Sequence, residues 1–212
     1  MKAIFRKEMK QYFNSVMGYV FLAIFLLISG FYFSLNNVLQ LNGDVSSFFN
    51  NIITFVMFLL PILTMRSFAE EKKVKTEQLL FTAPVSTTEI VLGKYLAALC
   101  MFLIGVAVTL IFPIIIMLFG KLDIWSTLGC YLAFILLAAA FIAVGVFISS
   151  LTENQNVSAI LTYCVLFALW FVSWVANFVS NTVIISLISA TSLFQKYYEM
   201  TMGVFNPSTL LF

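Results

Sequence analysis

Residues 125–149 read WSTLGCYLAFILLAAAFIAVGVFIS, with no Asp, Glu, Lys or Arg among them. At 1.5 Å per residue a helix of this length reaches about 37 Å, enough to cross the roughly 30 Å hydrocarbon core of a bilayer. A buried strand of a soluble protein is far shorter, and a surface helix would carry a polar face. This stretch therefore reads as a membrane span, and the rest of the chain repeats its pattern.

Four further stretches are predicted to span: 17–35, 48–65 with Pro61 inside, 95–119 with Pro113 inside, and 157–178. The expected fold class is therefore all-α, a polytopic transmembrane helical protein with five spans. Composition agrees, since 62% of the 212 residues are hydrophobic and 9% charged, against about half and about a quarter in soluble domains. The same balance excludes disorder. The 17–35 stretch is too long for the apolar part of a signal peptide, and no small-x-small cleavage site follows it. The two prolines either break their helices near a transport path or are ordinary kinks. Residues 183–194 are apolar but short, which suits a re-entrant or interfacial helix, and the chain ends in FNPSTLLF. A sixth span is expected to be missing, by truncation or divergence.

The chain has no histidine. That removes histidine metal sites and the Ser-His-Asp and Cys-His catalytic arrangements. Cys100, Cys130 and Cys164 lie in separate apolar stretches without C-x-x-C spacing, and read as small buried hydrophobes. A net charge of +2 without a basic tract gives no reason to expect a nucleic-acid partner. Between the interfaces the spans hold no Asp, Glu, Lys or Arg, which argues against a proton-coupled carrier and against a membrane enzyme. A protein without coupling residues of its own takes its energy from a partner.

Basic residues orient the chain. Lys2, Arg6, Lys7 and Lys10 precede the first span, and Arg66, Lys72, Lys73, Lys75 and Lys94 lie between the second and third; only Lys121 and Lys196 fall on the other side. The amino end and the 66–94 segment are thus expected to be cytoplasmic. In residues 2–13, Ile4, Phe5, Met9, Tyr12 and Phe13 share a helical stripe, with Lys7, Glu8, Lys10 and Gln11 on a wetter face. This reads as an interfacial helix over residues 1–15, or else as a charged end that only sets topology.

The 66–94 segment is RSFAEEKKVKTEQLLFTAPVSTTEIVLGK. Residues 67–81 are predicted to be helical, with Phe68, Val74 and 79–81 on one apolar side and Glu71–Lys75 as an i,i+4 pair. Ala83-Pro84 stops that helix. Ser86 and Glu89 have capping-box spacing, opening a helix that runs through Gly93 and Lys94 into the third span. Two helices meeting at a cytoplasmic corner make either a docking surface or a solvated hairpin.

The run LLPILTMRSFAEEKKVKTEQLLFTAPVSTTEIVLGKYLAAL resembles the membrane subunits of type-2 ABC exporters, and among them the gliding-motility-type permeases. The matching positions are Pro61, Thr64-Met65-Arg66, Ala69-Glu70-Glu71, Thr76, Leu79-Leu80, Ala83-Pro84-Val85-Ser86, Ile90 and Gly93-Lys94. FRKEMKQYFNSVMGYVF also resembles the family's amino-terminal helix and first span. One departure is Lys75, where a glycine commonly precedes the family's threonine. The resemblance implies one transmembrane domain over 1–212, six spans as the usual number, and cytoplasmic coupling helices in 66–94. It implies a bacterial cytoplasmic membrane location, a second permease subunit, a separate ABC ATP-binding subunit and an exported substrate. No cofactor is expected on this chain, because ATP and Mg would be bound by the partner; the LGK at 92–94 is no phosphate loop. Glu70, Glu71, Lys72, Thr76 and Glu77 are the expected coupling or docking residues, with Pro84 at the corner. Arg66 and Lys94 are expected at the membrane surface, as anchors or merely as topology signals, and Gly93 in close helix packing. The competing functions are a membrane scaffold that docks a protein without transport, and an ion-coupled carrier.

Overall fold

The computed structural model describes residues 1–75, 86–120, 122–175 and 192–202. The described residues are helical and contain no strand. In chain order the helices are α1 (Lys2–Asn14), α2 (Val16–Phe33), α3 (Ser46–Thr64), α4 (Ala69–Lys73), α5 (Thr87–Thr109), α6 (Ile111–Phe119), α7 (Ile124–Leu151), α8 (Gln155–Val175) and α9 (Leu193–Thr201). Five helical stretches are long and apolar enough to cross a membrane, α5 and α6 forming one of them. The chain is thus a polytopic helical membrane protein, and each of the five predicted stretches corresponds to one span.

The spans are not equivalent. The apolar windows of α3 and α7 are more than half buried, whereas those of α2 and α8 are less than a third buried. The core forms between the inner pair: Phe49, Ile52, Val56 and Leu60 of α3 lie in one cluster with Phe134, Leu137, Ala138 and Phe141 of α7. Rings interlock across it, with Phe49 tilted against Phe134 at 5.2 Å and Phe102 of α5 at 5.5 Å from Phe134. The outer spans leave Leu27 and Phe31 of α2, and Ile160 and Phe171 of α8, exposed. In a membrane protein these apolar faces meet lipid or other chains rather than water. Cys130 is buried as expected, but Cys100 is only partly buried and Cys164 is exposed. The expectation that all three are buried is corrected, because α8 turns the Cys164 side outward.

The two prolines act differently. Pro113 sits in the first turn of α6, just after the break at Leu110. Lacking an N–H, it cannot engage the Thr109 carbonyl one turn earlier, and the Tyr131 hydroxyl donates to that oxygen instead, at 2.8 Å. Pro61 lies inside α3, which ends three residues later, and the Thr64 hydroxyl donates back to Leu60 O at 3.1 Å.

At the end of the bundle remote from α1, α2 runs on into a π-helical turn, Ser34–Val38. There α9 is capped by Ser192 and buries Phe194, Tyr197 and Met200. The Tyr197 hydroxyl donates to Phe49 O at 2.8 Å, so α9 is clamped to the start of α3. Most of the short apolar segment at 183–194 lies outside the described residues.

Candidate functional site: a charged junction at the α1 end

Polar side chains gather where α1, α4, the first turns of α5 and the last turn of α7 meet. The local sequence explains the approach of α1. Gly93 faces it, and a Cβ there would fall 2.9 Å from Ile4 Cγ2, so only glycine admits contact this close. At the corner between α1 and α2, a Cβ on Gly18 would lie 2.3 Å from the Tyr12 carbonyl oxygen. The expected role of Gly93 in close packing is what the backbone shows.

Lys94 stands one position further along α5 and is 1% exposed. Its ammonium lies 3.0 Å from Glu8 Oε1 and 2.8 Å from Glu71 Oε2, and it donates to the Ser67 carbonyl. Those acceptors use all three ammonium protons. The same Nζ lies 4.8 Å from the centre of the Phe68 ring, within cation–π range. Lys7 completes the group: it bonds to Glu71 Oε1 and lies 3.9 Å from Glu8 Oε1. Two carboxylates and two ammonium groups cancel, which is the condition for burying charge without a large desolvation penalty. The network joins α1, α4 and α5.

A second set of bonds ties α4 to α7. Ser149 is fully buried, and its Oγ accepts from Phe68 N at 3.0 Å and Ala69 N at 3.2 Å while donating to Met65 O at 3.1 Å. It therefore serves donors that α4 leaves open at its N-terminus. Lys72 Nζ donates to Ser150 O at 2.6 Å. The helix itself places Glu70 and Glu71 in its first turn and Lys72 and Lys73 in its last, the order that its dipole favours.

Behind α1 lies a cavity of about 130 Å³, lined by Glu8, Gln11, Tyr12, Ser15, Arg66 and Glu70 among others. Arg66 Nε and Glu70 Oε2 are buried there without a hydrogen-bond partner. The Tyr12 hydroxyl donates to Leu63 O at 3.2 Å. Burial, reinforced by the Glu8 carboxylate, holds the Tyr12 phenol above its ordinary pKa.

Several expectations change here. Lys94 is not a surface anchor: it is the most enclosed charge in the junction. Glu8 does not belong to the wet face of α1, since it is 4% exposed and lies one turn beyond buried Ile4. The helix expected over 67–81 stops at Lys73. Lys75 has φ 58°, in the left-handed region that ends helices, so Glu71 and Lys75 do not share a helical face. Glu71 turns inward to Lys7 and Lys94 instead. Phe68 packs against the core while Val74 is 64% exposed, so they do not form one apolar side. Lys72 is half-buried and donates to the Ser150 carbonyl. Thr76, Glu77 and Pro84 lie outside the described residues. Ser86 caps α5 as expected, accepting from Glu89 N at 3.3 Å, while the Glu89 carboxylate lies 3.4 Å from the Met1 amine.

Glu8 and Ser149 were not singled out by sequence reasoning. A carboxylate one turn after an apolar residue on an otherwise amphipathic helix was the available sign for Glu8. Nothing in the local sequence distinguishes Ser149 from Ser150.

Five apolar spans, two of them an inner pair, with a compact ion network at one end, define a multi-pass membrane protein with a connected polar face. Residues 2–202 match the family model described as ABC-2 family transporter protein, and the chain belongs to that family. It is therefore a membrane permease component of the ABC transporter class. Comparison with curated proteins and with solved structures gives no match.

Proposed function

We propose that the chain is the membrane-spanning subunit of an ATP-driven ABC-2 exporter, and that its charged junction receives the motion of a separate ATP-binding subunit. In this reading the chain pairs with a second permease subunit in a bacterial cytoplasmic membrane, α1 faces the cytoplasm, and ATP and Mg are bound by the partner. The observation that carries it is the Lys94 network, which fixes α1, α4 and α5 to one another while Ser149 fixes α4 to α7. A push on α4 then reaches α1 and two spans, α5 and α7, together. An isolated surface ion pair would transmit little, because it is worth under about 1 kcal/mol.

The test is co-expression with a candidate ABC ATP-binding subunit, co-purification in detergent, and ATPase measurement in lipid discs. Wild type is expected to form a stable complex and to change the partner's ATPase rate. Glu8→Gln is expected to keep the complex and lose most of that change, because Glu8 lies inside the network rather than on the docking face. An unchanged rate in Glu8→Gln refutes the junction as coupler. Absence of a complex refutes the docking of that subunit.

A further inference from the structure

We propose that the outward face of α1 is a binding site for an anionic phospholipid of the phosphatidylglycerol class, its headgroup seated on Lys2, Arg6 and Lys10. The site is independent of the coupling reading, since none of these side chains belongs to the Lys94 network.

Spacing puts the three cations in one row. Residues four apart on a helix share a face and stand about 6 Å apart along its axis. All three are exposed, whereas Ile4 and Glu8, between them in sequence, are buried on the other side of the helix. Among the described residues none of the three has an ion-pair partner. They border an open groove together with Ala3, Lys7 and Asn14, and no acidic side chain is among its described lining. The one carboxylate of α1, Glu8, turns inward to Lys94. Like charges one turn apart weaken a helix, and basic residues at a helix N-terminus oppose its dipole. No described carboxylate offsets either effect here, and an external anion offsets both.

Continuity with the first span identifies that anion as a lipid. Phe13 stands two turns after Arg6 and is 38% exposed, so it borders the row at its far end. The chain turns at Ser15, whose backbone is extended, and α2 follows at once. Across this corner the Phe13 ring meets Tyr19 edge-on, with centroids 6.3 Å apart. Tyr19 is exposed as well, and Val16, Val20 and Leu27 carry the exposed surface on along α2. Cations, an aromatic pair and an apolar helix face thus follow one another. A phospholipid presents its phosphate, glycerol and acyl chains in the same order, and aromatic side chains favour the middle level. An acidic protein would match only the cations.

The experiment places the full chain in phosphatidylcholine discs. These carry a small fraction of phosphatidylglycerol with a diazirine near the top of one acyl chain, and adducts are mapped by peptide mass spectrometry. They are expected in residues 13–20. Each Lys or Arg near an anionic lipid surface favours association about fivefold. Unlabelled phosphatidylglycerol should therefore suppress the adducts at a mole fraction about tenfold or more below that of phosphatidylcholine. High salt should narrow that gap, because exposed charges are screened. Lys2→Gln, Arg6→Gln and Lys10→Gln together should abolish the preference without lowering the melting temperature, and Arg6→Lys alone should keep it. Equal competition by the two lipids overturns the proposal, and this comparison uses the native chain alone. A triple variant that keeps the lipid preference but no longer binds a candidate ABC ATP-binding subunit also overturns it, because the row is then a protein-docking face.

Discussion

Replacing Lys94 by Met keeps most of the side-chain volume and removes the charge. Glu8 and Glu71, whose side chains are 5% and 10% exposed, then share only Lys7, which is itself half exposed. Breaking a buried pair by removing one partner costs about 3–5 kcal/mol, because the stranded charge stays out of water. At about 2–4 °C per kcal/mol for a chain of this size, the melting temperature should fall by on the order of 10 °C. Tryptophan fluorescence in detergent measures it, and the rate of trypsin cleavage after Lys7 and Lys10 reports whether α1 has come away. Adding Glu8→Gln to Lys94→Met neutralises one stranded carboxylate, so the double variant should recover part of the loss rather than add to it. A melting temperature within about 2 °C of wild type, or losses that sum, would refute the reasoning that the network is buried and mutually dependent.

Two further outcomes follow from the same end of the molecule. Lys75→Gly should raise stability by about 0.5–1 kcal/mol, since a left-handed residue costs about 1–2 kcal/mol with a side chain and glycine returns part of that gain as chain entropy; thermal melts decide the sign. Tyr12→Phe should cost about 1 kcal/mol at neutral pH through the lost bond to Leu63 O. The folded Tyr12 pKa is raised, so the stability of its neutral form is complete below about pH 10, the unfolded value, and is lost as pH rises further. The difference between wild type and Tyr12→Phe should therefore shrink and then reverse above about pH 10; a constant difference in melts across that range contradicts the burial of Tyr12.

The spans were legible because each depends only on its own composition, and the Ser86 cap because it follows from local spacing, whereas close packing at Gly93 was expected only from the resemblance. Lys75 was misread as a helical partner of Glu71, although the glycine common at that position in the resembling family is the residue that the observed φ of 58° favours. The burial of Glu8 was not, because its compensating charge lies 86 residues away and an amphipathic reading sends every charge to the wet face. Ser149 was hidden for a similar reason, since the open N–H groups it serves belong to a helix 80 residues earlier. What sequence patterns miss here is pairing across long separations.

That separation has a consequence for how the protein is made. Glu8 enters the nascent chain 86 residues before Lys94, which at about 5–20 residues per second is roughly 4–17 s. During that interval α1 exists with an acidic group on its inward side and no Lys94 to receive it. The Lys94 contact that α1 makes in the folded protein cannot form during that interval. Closing the network around Lys94 therefore requires the first 94 residues of the chain to be present.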